Sequence, residues 1–152
     1  MSVIIWITEG TWPACVDAAR ERAAADPDLV LLHLTDDTAA EAAHGAFAGL
    51  LGRGHPARDP GTRVEHLSAT AADDLLARAE QRLGRPARHL VLHGRPEQQV
   101  VLAADNADLL ICARDGDAAH PGPRSLAPPT RFVVDHAPCP VLLVWPTAPQ
   151  GQ

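Results

Sequence analysis

The 152-residue sequence contains no lysine; all 13 of its basic residues are arginine. That absence removes Schiff-base chemistry, pyridoxal phosphate attachment and the lysine of a P-loop ATPase. Cysteine is scarce too. Cys15, Cys112 and Cys139 are odd in number and widely spaced, with no CxxC pair. Each lies in or beside an apolar run and reads as a buried, reduced thiol. Serine occurs only three times, and Ser125 lies in no G-x-S-x-G turn. HExxH, GxGxxG and GxxxxGK[ST] are all missing. Positive charge is in deficit, with a formal net charge of -6, which argues against a nucleic-acid backbone or an anionic membrane as partner. No segment reaches transmembrane length. The opening MSVIIWITEG lacks a basic n-region and a small-residue cleavage site, so it reads as a first strand, and the expected location is cytoplasmic.

What is present is a globular composition, 46% hydrophobic and 21% charged, long enough for one domain with a sizeable core. The reading is a single α/β domain over residues 1–147 and a short tail over 148–152. Five short apolar runs recur at Val3–Ile7, Leu29–Leu34, Leu90–Leu92, Leu109–Cys112 and Val141–Trp145. They are nearly continuous, as strands buried on both faces are. Helical stripes separate them: Trp12, Cys15, Val16, Ala19 and Ala23; then Ala40, Ala43, Phe47, Leu50 and Leu51; then Leu75, Leu76, Ala79 and Leu83. Capping-box spelling at Thr38–Glu41 and Thr70–Asp73 predicts two helix starts. A fourth helix is expected from Pro96 to about Asn106, and a short fifth around Thr130–His136. Between the second and third helices, Gly52–His66 reads as a long Gly/Pro/Arg-rich loop. Strands alternating with helices imply right-handed crossovers and a parallel sheet covered on both faces. In such a sheet, ligands bind beyond the carboxyl ends of the strands, where strand order reverses.

With those positions marked, the chain resembles the universal stress protein family. The most specific stretch is DHAPCPVLLVW, Asp135 to Trp145, supported by LVLLHLTD at Leu29–Asp36, HGRPEQQVVLAADNADLLI at His93–Ile111 and WITEGT at Trp6–Thr11. The resemblance implies an adenine nucleotide alpha hydrolase-like fold, an open parallel five-stranded sheet in order 3-2-1-4-5. It also implies pairing of two copies through the last strand, with Val141, Leu143 and Trp145 on the shared face.

In the nucleotide-binding branch of that family, the loop after the fourth strand reads Gly-x2-Gly-x9-Gly-Ser/Thr. Here the first glycine falls on Ala113 and the second on Gly116. The closing Gly-Ser falls on Ala127-Pro128 after a spacer one residue longer, and the following hydroxyl falls on Thr130. Pro128 and Pro129 have no N–H to offer a phosphate. The loop therefore resembles a degenerate phosphate cradle. The nucleoside half is better kept: Thr8 and Glu9 follow the first strand, and Leu34 matches the position whose backbone meets adenine. Arg114 and Arg124 are the candidates for replacing lost donors with charge.

Each candidate has a plainer reading. Glu9 also fits a solvated carboxylate near a helix N-terminus, and Arg114 and Arg124 fit surface arginines. His136-Ala-Pro-Cys139 is a turn, since a metal needs three or four converging ligands. His33 and His93 at strand ends read as core or rim histidines. The DGD at Asp115–Asp117 has too few carboxylates for a calcium or magnesium cage. The combined expectation is a non-enzymatic stress-response or regulatory protein, acting as a homodimer, with weak or no ATP binding. No metal or cofactor is expected, an adenine nucleotide being the one candidate. The alternative is a nucleotide- or small-anion-binding sensor with a modified site after strands 1 and 4.

Overall fold

The computed structural model describes residues 1–23, 25, 27–35, 60–116, 118–120 and 125–146, with side chains from residue 63 onward in the 60–116 segment. The strands are β1 (Ser2–Trp6), β2 (Asp28–Thr35), β3 (Arg88–His93), β4 (Leu109–Ala113) and β5 (Val141–Val144). All pair in parallel, in the order β3-β2-β1-β4-β5. The helices are α1 (Trp12–Arg22), α2 (Pro60–Leu83), α3 (Pro96–Ala103), which runs into a 3-10 turn at Ala104–Asn106, and α4 (Pro128–His136).

Side chains alternate across each strand, so the apolar runs feed two cores. Val3, Ile5 and Ile7 join Leu29, Leu31 and Ile111 under α1 and α2, where Cys15, Val16, Leu75, Leu76 and Ala79 are buried. Ile4, Val30, Leu32 and Leu110 fill the opposite face with Val100 of α3 and Val133 of α4. Fully burying a Leu, Ile or Val side chain contributes about 1.5–3 kcal/mol, which is why near-continuous apolar strands specify a sheet covered on both sides. Register fixes the site as well as the core. Ile4 pairs with Val30 and with Leu110, so the ends of β1, β2 and β4 finish together on one side of the sheet.

Three expectations need correction. Thr70 caps no helix: it lies inside α2, where its Oγ1 donates to the His66 carbonyl at 2.9 Å, a bond back along the helix rather than to a free N-terminal N–H. The helix begins at Pro60, whose fixed φ suits a first turn, so residues 60–66 are helical and not loop. The fifth helix likewise begins earlier, at Pro128. The expected second helix with its Thr38 cap, residues 52–59, Arg124 and the tail lie outside the described residues. Among the described residues, no helix is long and apolar enough to cross a membrane.

Candidate functional site

Order 3-2-1-4-5 reverses the direction of crossover at β1, so the connections leaving β1 and β4 run to opposite faces of the sheet and leave a crevice between them. A cavity of about 320 Å³ occupies it, at the small end of the roughly 300–1,000 Å³ typical of ligand pockets. Trp6, Ile7, Thr8, Glu9 and Thr11 form its wall from β1, and His33 and Leu34 from β2. Pro96 at the start of α3, Ala113 and Asp115 after β4, and Ala127, Pro129 and Thr130 at the start of α4 close it. Thr8, Glu9, Leu34, Ala113 and Thr130 thus all line one cavity. Gly116 is not in the wall. At φ +90°, it supplies the left-handed turn directly behind Asp115, a conformation glycine adopts without strain.

The β1–α1 turn is built the same way. Gly10 takes φ +87°, and the Thr8 carbonyl accepts from the N–H groups of Thr11 (3.2 Å) and Trp12 (3.1 Å). Glu9 is thereby held at the rim, largely exposed, with Arg78 of α2 at 3.7 Å. Across the cavity, the His33 ring is fixed by Nδ1, which donates to the Ile7 carbonyl at 2.8 Å. Because a carbonyl can only accept, that bond sets the proton on Nδ1 and leaves Nε2 as the acceptor of the neutral ring. His93 is not in the wall; its Nδ1 meets Thr35 Oγ1 at 2.6 Å at the exposed end of β3.

The decisive geometry is at the start of α4. The first turn of a helix normally presents free N–H groups to an anion. Pro128 and Pro129 take its first two positions and have none. Ahead of the prolines, the Ala127 N–H is already taken, accepted by the Asp115 carboxylate at 2.6 Å through Oδ2; behind them, the Thr130 N–H is left in the first turn. Asp115 is held there from both sides: its own N–H donates to the Ser125 carbonyl at 2.8 Å, and the Arg114 N–H to the Val144 carbonyl at 2.7 Å. A side-chain carboxylate thus stands where an anion would be bound by this helix. In the sequence, Asp115 stands out only as part of the Asp115–Asp117 pair, too few carboxylates for a metal cage. The available signal was an acid immediately after β4 and before a turn glycine.

Arg114 does not face the cavity. Its guanidinium donates to Ser125 Oγ at 3.0 Å and lies 5.2 Å from the centre of the Trp145 ring. The thiols are equally remote from chemistry. Burial pushes Cys15 up to about 12, with Cys112 adding to the shift, and burial pushes Cys112 up to about 12 against the lowering influence of Arg114. Burial also raises Cys139. Neutral thiols are poor nucleophiles. His136 donates Nδ1–H to the Phe132 carbonyl at 2.8 Å and stacks on the Phe132 ring, as expected of a helix end. Among the described residues, no three His, Cys, Asp or Glu side chains converge as a metal ion requires.

The family model of the universal stress protein family matches residues 8–144. No curated protein matches the sequence. Among solved structures, the chain is similar to hypothetical protein MJ0577, the subject of a structure-based assignment of biochemical function, at 14% identity and TM-score 0.73, covering 96% of each chain. It is similar to the universal stress protein UspA from Lactobacillus plantarum at 21% identity and TM-score 0.65, covering 95% of this chain and 97% of that one. A universal stress protein solved in complex with cAMP aligns at 17% identity and TM-score 0.61, covering 97% and 98%. At these identities the structures establish the shared fold, and the family match extends over most of the sequence. The chain belongs to the universal stress protein family.

Proposed function

We propose that this protein is a non-enzymatic stress-response or regulatory member of its family that has lost useful affinity for ATP and acts as a dimer. The observation that carries the reading is the start of α4, with prolines at its first two positions and the Asp115 carboxylate on the Ala127 N–H. A phosphate brought to that N–H must displace the carboxylate or sit beside it. Two unit charges about 4 Å apart at an effective dielectric of about 20 repel by about 4 kcal/mol. At about 1.4 kcal/mol per tenfold, that is nearly three powers of ten in affinity. The two missing proline donors add to the deficit at about 1 kcal/mol or more each.

The dimer is supported by the edge strand. β5 has a neighbour on one side only, and Leu143 belongs to neither core cluster. An uncovered apolar edge is closed most simply by a second copy across a two-fold axis, and family members commonly form dimers. Our reading assigns Val141, Leu143 and Trp145 to that contact.

The cavity itself supports the second reading, a small-molecule sensor, because five of the six expected ligand-site residues line it. A neighbour of the same fold is solved with cAMP. Measurement of phosphate release from magnesium-ATP tests the preferred reading. Release at the rate of buffer alone is expected, whereas protein-dependent turnover that survives repurification would overturn it.

A further inference from the structure

We propose that the cavity at the β1–β4 crevice selects a small neutral or cationic molecule bearing N–H or O–H donors, with Asp115 filling the anion position from within the chain. The inference rests on the reading of the phosphate cradle as lost, and it specifies what the remaining cavity accepts. Three observations lead to it. First, the ionisable groups in the wall are Glu9, His33 and Asp115, with no arginine among the described lining residues and no lysine in the chain. The arginines around it do not reverse that balance: Arg78 meets Glu9 at 3.7 Å on the exposed rim, Arg114 is turned onto Ser125 and Trp145, and Arg95 and Arg131, beside Pro96 and Thr130 in sequence, are not among the described lining residues. Second, the wall is rich in acceptors. The Glu9 and Asp115 carboxylates can only accept, and the His33 ring, donating through Nδ1 to Ile7, has in its neutral form an Nε2 that accepts. Third, the rest of the wall is apolar (Trp6, Ile7, Leu34, Pro96 and Pro129), suiting a flat or hydrocarbon body. An apolar body with donor groups and no negative charge matches all three.

The test uses two matched pairs of probes on the full-length protein, adenosine with AMP and tryptamine with indole-3-acetate, followed by amide NMR shifts of cavity residues. The neutral or cationic member of each pair is expected to bind at the cavity, at least about tenfold more tightly than its anionic partner. In Asp115→Asn, which keeps an oxygen acceptor for the Ala127 N–H, that preference is expected to shrink by about tenfold. Equal or tighter binding of the anionic members to the wild type overturns the inference. So does the absence of cavity shifts with all four probes, or an unchanged preference in a folded Asp115→Asn protein. Tight ATP binding would overturn the lost-cradle reading as well, whereas failure of the probes with ATP still weak overturns only the charge selection.

Discussion

Removal of the Asp115 carboxylate should loosen the start of α4 by an amount the geometry sets. Its Oδ2 accepts the Ala127 N–H at 2.6 Å, and a hydrogen bond to a charged group contributes about 1.5–3 kcal/mol net. The same carboxylate lies at the positive end of a nine-residue helix, worth about 0.3–1 kcal/mol more. The backbone bond from the Asp115 N–H to Ser125 survives substitution. Asp115→Ala is therefore expected to cost about 2–3 kcal/mol, and Asp115→Asn, which retains an acceptor but not the charge, about 1 kcal/mol. The partner can be deleted separately. Ala127 sits at φ −62° and ψ 156°, a conformation proline adopts, so Ala127→Pro removes the N–H donor with little strain on its own backbone. Urea unfolding of the wild type, both single variants and the double variant closes a cycle. The coupling between the two positions should be about 1.5 kcal/mol or more. A loss under about 0.5 kcal/mol for Asp115→Ala, or an equal loss in the Ala127→Pro background, would refute the bond as the lock on this helix.

Three further outcomes are expected. Ala127→Gly with Pro128→Ser returns one N–H and one hydroxyl to the start of α4, so calorimetry should show a larger gain for ATP than for adenosine; equal gains would mean that the segment does not face the phosphates. Leu143→Arg puts a charge on the β5 edge and should give monomers in sedimentation where the wild type is a dimer, with Trp145 fluorescence shifted to the red. An unchanged dimer would remove β5 from the interface. Cys15 and Cys112 stay protonated when folded up to about 12, but ionise in the unfolded chain around 9.0. Above that lower value the native state holds more protons than the unfolded one, so stability should fall as pH rises from about 9 towards 12. Urea midpoints measured across that range check the sign, and Cys15→Ala should reduce the slope.

The sheet was legible in the sequence because its strands are buried on both faces, and that burial requires nearly continuous apolar runs at Val3–Ile7, Leu29–Leu34 and Leu109–Cys112. The stripe Leu75, Leu76, Ala79 and Leu83 was legible for the same reason, each being buried against the sheet. The start of α2 was not. Over residues 63–74 few side chains are buried; Leu67 is 65% exposed, so no apolar period marks this stretch. The Thr70–Asp73 spelling was a local pattern that the helix overrode. At the site, sequence located the crevice walls because residues following parallel strands must converge there. It did not anticipate the role of Asp115, which depends on a bond to Ala127, twelve residues away. Nor does spacing alone reveal that Arg114 turns away from the crevice. The ring of Trp145 draws it there, and β5 brings that ring alongside through the pairing of Ala113 with Val144.

Calorimetric titration of the wild-type protein with magnesium-ATP tests the lost cradle most directly. With Pro128 and Pro129 lacking donors and Asp115 on the Ala127 N–H, a dissociation constant weaker than about 0.1 mM is expected, or no measurable heat. A constant in the low micromolar range would contradict it, since affinity of that order requires more phosphate donors than this helix start offers.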